Sequence, residues 1–112
     1  MKKPTFITGN QHKADYFSHQ MGIDIQHKKI ELDELQSLDL HVIVEHKLRQ
    51  AYDIVKSPVI VEDVSLSFSA LRGLPGPYIR WFTEVGGPEA CCQMLDGFAD
   101  RSALITCTFG FL

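Results

Sequence analysis

The stretch Thr5-Phe6-Ile7-Thr8-Gly9-Asn10-Gln11-His12-Lys13 predicts how the fold begins. Its first four residues are β-branched or aromatic, which is typical of a short buried strand. The glycine then allows a tight turn, and the asparagine is a good residue to cap the start of a helix. Lys13 falls on the first turn of that helix, where main-chain N–H groups attract anions. The stretch therefore predicts a strand, a turn and a helix N-terminus that suits phosphate.

The first half of the chain continues this alternation of helices and strands. Apolar residues recur at helical spacing from Gln11 to Met21, and Gly22 stands where a helix C-terminal glycine is expected. Three further elements are predicted: a strand over Ile23 to Ile30, a helix capped by Asp39 and running to about Val55, and a strand over Val59 to Val61 that is buried on both faces. The order β-α-β-α-β indicates an α/β architecture.

The second half of the chain is predicted to hold two short helices and one long strand. The helices span Tyr78 to Val85 and Pro88 to about Leu95, with two glycines between them. We expect the aromatic side chains of Trp81 and Phe82 to lie in the core. The residues from Ser102 to Leu112 alternate as a strand does, and so long an apolar strand needs neighbours.

Composition excludes several classes of protein. The 112 residues carry 11 basic and 14 acidic side chains, a net charge of −3, which argues against a nucleic-acid binder. No apolar run approaches the roughly 20 residues that span a membrane, and no signal peptide is visible. The chain is long enough for one small domain, residues 1–112.

The three cysteines, Cys91, Cys92 and Cys107, lack the spacing of a zinc site or a disulfide framework. We expect all three to be small buried side chains with reduced thiols, which fits a cytoplasmic location. The five histidines share no metal-binding spacing and are expected to lie at the surface or to be partly buried.

Three acidic residues are candidates for chemistry. Glu62 and Asp63 directly follow the predicted strand at Val59 to Val61, and ligands of open α/β sheets bind beyond the carboxyl ends of strands. Adjacent carboxylates there can hold Mg²⁺, and one of them can take a proton from an attacking water. The alternative is a solvated strand end. Glu34 lies in a crowded acidic turn, Ile30-Glu31-Leu32-Asp33-Glu34-Leu35. Glu34 is a candidate only if the fold brings it beside Asp63.

The run from Leu71 to Pro77 holds two glycines and two prolines, which predict a shaped loop. Arg80 follows it, and its planar guanidinium can grip phosphate. The alternative is a structural turn. For Lys13 the alternative is a solvated lysine on a capped helix, since no G-x-x-x-x-G-K-[ST] motif is present.

Three motifs in order resemble one family, the inosine triphosphate pyrophosphatases, over about Thr5 to Leu112. Phe6-Ile7-Thr8-Gly9-Asn10-x-x-Lys13 is similar to the opening signature of that family. Val61-Glu62-Asp63-Val64-Ser65-Leu66 resembles its acidic strand end. Ala70-Leu71-x-Gly73-Leu74-Pro75-Gly76-Pro77-Tyr78-Ile79-x-Trp81-Phe82 resembles its eukaryote-like central loop.

The resemblance implies an elongated mixed sheet with flanking helices and a cleft. It implies Mg²⁺-dependent hydrolysis of inosine and xanthosine triphosphates, and of their deoxy forms, to monophosphate and pyrophosphate by a homodimer. The roles that it implies for residues are catalysis for Asp63, Glu62 and Lys13, substrate binding for Thr8, Gly9, Asn10, Lys13, Ser65 and Arg80, and metal binding for Glu34 and Asp63.

The chain departs from the family pattern in two ways. Arg80 stands where the family is expected to have a lysine. The family's F-G-[YW]-D-P and S-H-R elements, which contribute to purine recognition, do not occur, so we expect a partial domain whose C-terminal part is missing. One alternative is therefore a weak or inactive relative that acts as a nucleotide-binding or protein-interaction module. Another, a nucleotidyl or phosphoryl transferase, has no motif for a second substrate.

Overall fold

A computed structural model of the chain describes residues 3–112. In chain order its elements are β1 (Thr5–Ile7), α1 (Gln11–Met21), β2 (Gln26–Lys28), α2 (Leu40–Val55), β3 (Val59–Phe68), a 3-10 turn (Ser69–Leu71), β4 (Pro75–Gly76), α3 (Ile79–Gln93) and β5 (Ala103–Phe111). The predicted α/β class is confirmed, with a mixed sheet and flanking helices.

The sheet is organised around β1 and β3. β1 pairs in parallel with β2 on one side and with the start of β3 on the other, and β4 pairs antiparallel with β3 at Leu66 and Ser67. β5 also pairs with β3. At one end of that ladder Val59 and Leu112 exchange two main-chain hydrogen bonds of 3.0 and 3.1 Å, as in an antiparallel pair.

The described chain divides into two compact units. The first comprises residues 3–36, 41–62 and 109–112, and the second comprises residues 37–40 and 63–108. In the first unit, successive side chains of β1 point to opposite faces of the sheet. Phe6 packs with Ala14 of α1 and Ile60, whereas Ile7 packs with Val44 and Ala51 of α2. Both faces of β1 are therefore covered, which fixes the point from which the chain turns into α1.

The second unit has its own small core. Phe68 at the end of β3 packs with Cys91 and Leu95, and Leu66 and Ile79 border them. Gly87 has a φ of 74° and interrupts α3, so the predicted break between two short helices is confirmed.

Two predicted strands have different lengths in the structure. β2 has three residues instead of the predicted run from Ile23 to Ile30, because β1 offers only three residues for pairing. β3 runs ten residues and does not stop at Val61, because β4 and β5 supply partners further along it. Glu62 and Asp63 consequently lie inside a strand, and the prediction that they follow its end is wrong.

The expectations about burial were wrong at four side chains. Cys91 is buried, but Cys92 and Cys107 are exposed. Trp81 and Phe82 are also exposed rather than in the core, since α3 turns them away from the cluster around Phe68. Helical spacing alone does not say which face of a helix the sheet covers.

Candidate active site

The loop Thr8–Asn10 joins β1 to α1 and caps the helix. Asn10 has extended backbone angles, and its side-chain Oδ1 accepts a hydrogen bond from the main-chain nitrogen of Lys13 at 3.2 Å. The nitrogen of Asn10 in turn donates to Thr8 Oγ1 at 3.2 Å. The first turn of α1 carries no acidic residue, so nothing on it offsets the positive end of the helix dipole. The predicted cap is confirmed, and the helix N-terminus has the electrostatics of an anion site.

Lys13 contacts Glu62 across 49 positions of sequence. Its Nζ lies 2.5 Å from Glu62 Oε1, and the two side chains are 43% and 12% exposed. Lys47, on α2, donates from Nζ to the main-chain oxygen of Glu62 at 3.0 Å. The structure therefore brings two lysines from two helices to one residue of β3. An ion pair with a partner this exposed contributes little to stability, which leaves Lys13 able to exchange Glu62 for another anion.

The acidic turn is held by α2. The main-chain nitrogen of Asp33 donates to Gln50 Oε1 at 2.7 Å, and Gln50 Nε2 donates back to Asp33 Oδ2 at 3.1 Å. Glu34 follows directly and is exposed. The two hydrogen bonds between Asp33 and Gln50 fix the main chain next to Glu34, whereas the side chain of Glu34 is exposed to solvent.

Asp63 and Ser65 lie on β3, in the second unit. Asp63 Oδ1 accepts from the main-chain nitrogen of Val64 at 2.9 Å, and Ser65 is buried, with its Oγ 3.5 Å from that of Ser67. Successive side chains of a strand point to opposite faces. Glu62 and Asp63 are therefore better suited to separate roles than to chelating one ion as a pair.

Arg80 is on the first turn of α3 and has local partners. Its Nε donates to Glu84 Oε1 at 2.8 Å, one helical turn away, and its guanidinium carbon lies 5.5 Å from the centre of the Trp81 ring. The geometry is that of a surface ion pair with a stacked aromatic ring.

Three residues of the first unit were missed by the sequence analysis. They are Lys47 and Gln50, which act from α2 as described above, and His27 of β2, which contacts the loop Thr8–Asn10. No short motif marks them, because each reaches its partner only through the pairing of strands and the packing of α2. Within residues 3–112, no group of three or more His, Cys, Asp or Glu residues is arranged to hold a metal ion. Nor does any described helix have the length and apolar character to cross a membrane.

Comparison with known proteins gives consistent matches. The model of the Ham1 family matches residues 5–112. The inosine triphosphate pyrophosphatase of Ajellomyces capsulatus is 40% identical over 99% of this chain and 61% of its own length. Inosine triphosphate pyrophosphatase 2 of Trypanosoma cruzi is 43% identical over 97% of this chain and 57% of its own length. The chain thus spans about three-fifths of the length of these relatives.

Solved structures agree on the fold. The Ham1 protein of Staphylococcus aureus superimposes with a TM-score of 0.81 at 20% identity, covering 99% of this chain and 63% of that one. A HAM1 protein from Coxiella burnetii superimposes with a TM-score of 0.80 at 19% identity, and the match covers all of this chain and 64% of that one. The family model matches residues 5–112, a range that includes the loop Thr8–Asn10, the acidic turn and β3. This chain therefore belongs to the Ham1 family.

Proposed function

We propose that residues 1–112 form a partial domain that handles the phosphates and metal of a nucleoside triphosphate pyrophosphohydrolase. Its substrates are inosine and xanthosine triphosphates and their deoxy forms, and its products are a monophosphate and pyrophosphate. The relatives named inosine triphosphate pyrophosphatase support this substrate class. The observation that carries the proposal is the capped helix N-terminus at Thr8–Asn10 with Lys13 held beside it by Glu62.

The loop binds the triphosphate through main-chain and side-chain donors. Thr8, Gly9 and Asn10 lie at the positive end of α1, and Lys13 adds a full charge on the same turn. When Lys13 turns from Glu62 to a phosphate oxygen, it stabilises the charge that develops on the departing pyrophosphate. Ser65 and Arg80 are proposed as further substrate contacts.

The reaction is an attack of water on the α-phosphorus. A new P–O bond forms, the bond to the oxygen that bridges to the β-phosphate breaks, and the electron pair leaves with pyrophosphate. Asp63 or Glu62 takes the proton of the water.

Glu34 and Asp63 are the proposed ligands of Mg²⁺. The donors fit this ion, since Mg²⁺ prefers oxygen, binds through one or two carboxylates and takes its other ligands from phosphate and water. When bound, Mg²⁺ would neutralise the triphosphate and lower the pKa of a coordinated water. A homodimer and a cytoplasmic location are part of the same proposal.

The test is release of pyrophosphate from inosine triphosphate in the presence of Mg²⁺. We expect Asp63→Ala to lower kcat/KM by about 100-fold or more, because it removes a metal ligand and a proton acceptor. Asp24→Ala is the matched control, since Asp24 forms an exposed pair with Lys3 and should leave the rate unchanged. A chain that is no more active than its Asp63→Ala variant would contradict the proposal.

One observation favours a second candidate, a nucleotide-binding or protein-interaction module without turnover. The apolar residues Leu104, Ile105 and Phe111 of β5 are 66%, 71% and 67% exposed. A long apolar strand with such exposure is a ready surface for another polypeptide. Calorimetric binding of inosine triphosphate without release of pyrophosphate would favour this candidate over the enzyme.

A further inference from the structure

The ring of His27 lies between β2 and the proposed phosphate-binding loop. Its Nε2 is 2.5 Å from the main-chain oxygen of Thr8, and its Nδ1 is 2.7 Å from Gln11 Oε1 on the first turn of α1. The residue is partly buried. One side chain thus contacts both the residue that opens the loop and the helix that follows it.

The partners of His27 determine where its hydrogens are. A carbonyl oxygen only accepts, so Nε2 must donate to Thr8. Gln11 Nε2 donates to Asp15 Oδ1 at 2.8 Å, which leaves Gln11 Oε1 facing the ring. The reverse orientation of the amide would set its oxygen against the Asp15 carboxylate. Both ring nitrogens of His27 therefore face oxygen atoms, and the bond to Thr8 requires a hydrogen on Nε2.

This contact fixes the peptide between Thr8 and Gly9. The peptide unit is planar and trans, so its C=O and its N–H point in opposite directions. With the Thr8 oxygen held by His27, the N–H of Gly9 is aimed away from the ring. The main-chain nitrogen of Thr8 is held as well, because it donates to the oxygen of Lys28 at 3.1 Å. Residues of β2 consequently hold both the peptide that enters Thr8 and the peptide that leaves it.

We propose that His27 is a positioning residue of the phosphate-binding loop. It orients the Thr8–Gly9 peptide so that the Gly9 N–H is presented to a phosphate group. This role rests on the proposed function, since it requires the loop to bind phosphate. The ligand class is a polyphosphate, either free or as part of a nucleoside triphosphate.

Two amide variants separate the contacts of the ring. The side-chain nitrogen of His27→Gln can reach the position of Nε2 and keep the bond to Thr8. The nitrogen of His27→Asn reaches only the position of Nδ1 and loses that bond. The two variants carry the same amide group and differ only in how far it reaches. His19→Asn, on the exposed end of α1, is the control for a histidine that does not contact the loop.

Binding of tripolyphosphate and of inosine triphosphate with Mg²⁺ is measured by calorimetry for each variant. We expect His27→Asn to weaken binding of both ligands by about tenfold, the effect of losing one hydrogen bond that orders a site. His27→Gln should recover most of the affinity, and His19→Asn should bind like the unmodified chain. Equal affinities for the Gln and Asn variants would overturn the positioning role, whereas no binding by the unmodified chain would overturn the proposed function as well.

The ring itself offers a readout that does not depend on nucleotide. Long-range nitrogen–proton NMR of the histidine side chains in the folded chain should show a proton on Nε2 of His27. An Nε2 without a proton would overturn the proposal whatever the binding data, because such a nitrogen cannot donate to Thr8.

Discussion

The loop Thr8–Asn10 and the start of α3 are both candidates for gripping phosphate, yet they are built in different ways. The loop and the first turn of α1 are held by residues that are distant in the sequence. Lys13 contacts Glu62, 49 positions away, and Thr8 contacts His27, 19 positions away. Arg80 at the start of α3 is held by its near neighbours Glu84 and Trp81. A site held by several elements is preorganised, whereas the contacts of Arg80 with Glu84 and Trp81 lie within its own helix.

The largest expected effect follows from removing the cation of the first region. Lys13→Ala should lower kcat/KM for release of pyrophosphate from inosine triphosphate by about 100-fold or more, because it removes a charge that stabilises the leaving group. Lys3→Ala is the control, since Lys3 also pairs with a carboxylate, Asp24, but in an exposed contact. An equal effect of the two substitutions would remove the distinction between a site lysine and a surface lysine.

A smaller effect is expected in the second region. Arg80→Ala should raise KM for inosine triphosphate by about three- to tenfold and change kcat little, because a contact that is equally strong in the ground state and the transition state adds binding without speeding the reaction. Glu84→Ala is the informative partner variant, since it releases the guanidinium from its helical ion pair and should leave KM unchanged or lower it. A loss in kcat for Arg80→Ala as large as that for Lys13→Ala would place Arg80 in the catalytic machinery.

The smallest effect belongs to another local contact, between Asp100 and Ser102. Hydrogen bonds from Ser102, through its hydroxyl and through its main-chain N–H at 2.8 Å from Oδ1, lower the pKa of Asp100 below its ordinary 3.8. A carboxyl with a lowered pKa stabilises the folded state above its unfolded-state pKa, and the contribution is lost as the pH falls through the folded-state pKa. In thermal unfolding, the Tm of the unmodified chain should be slightly higher than that of Asp100→Asn at neutral pH, and the difference should disappear in acid. A difference in Tm that grew in acid would contradict the lowered pKa of Asp100.

Local sequence patterns predicted the elements of this fold well. Asn10 as a cap, Gly22 as a left-handed C-terminal glycine and the break before Pro88 all follow from the conformational preferences of single residues, and the structure confirms them. The length of β3 did not follow from its sequence, because a strand continues for as long as neighbours pair with it. The exposure of Trp81, Phe82, Cys92 and Cys107 also depends on which faces are covered.

For the candidate site, the sequence supplied the residue types and the structure supplied their partners. Lys13 and the loop Thr8–Asn10 can be read from motifs, since a cap and a first-turn lysine are short-range features. Glu62 was a candidate from its residue type, although it lies inside β3 and does not follow it. Lys47, Gln50 and His27 cannot, because their roles exist only once α2 and β2 have been placed against the loop and β3.

By itself, the sequence determined that the chain is α/β, that a capped helix follows the first strand and that Lys13 stands on its first turn, because backbone preferences and side-chain spacing act over a few residues. Only the tertiary structure decided that Lys13 meets Glu62 and that His27 holds Thr8. Those contacts join residues far apart in the chain, and the pairing of strands, which brings them together, is a property of the whole sheet.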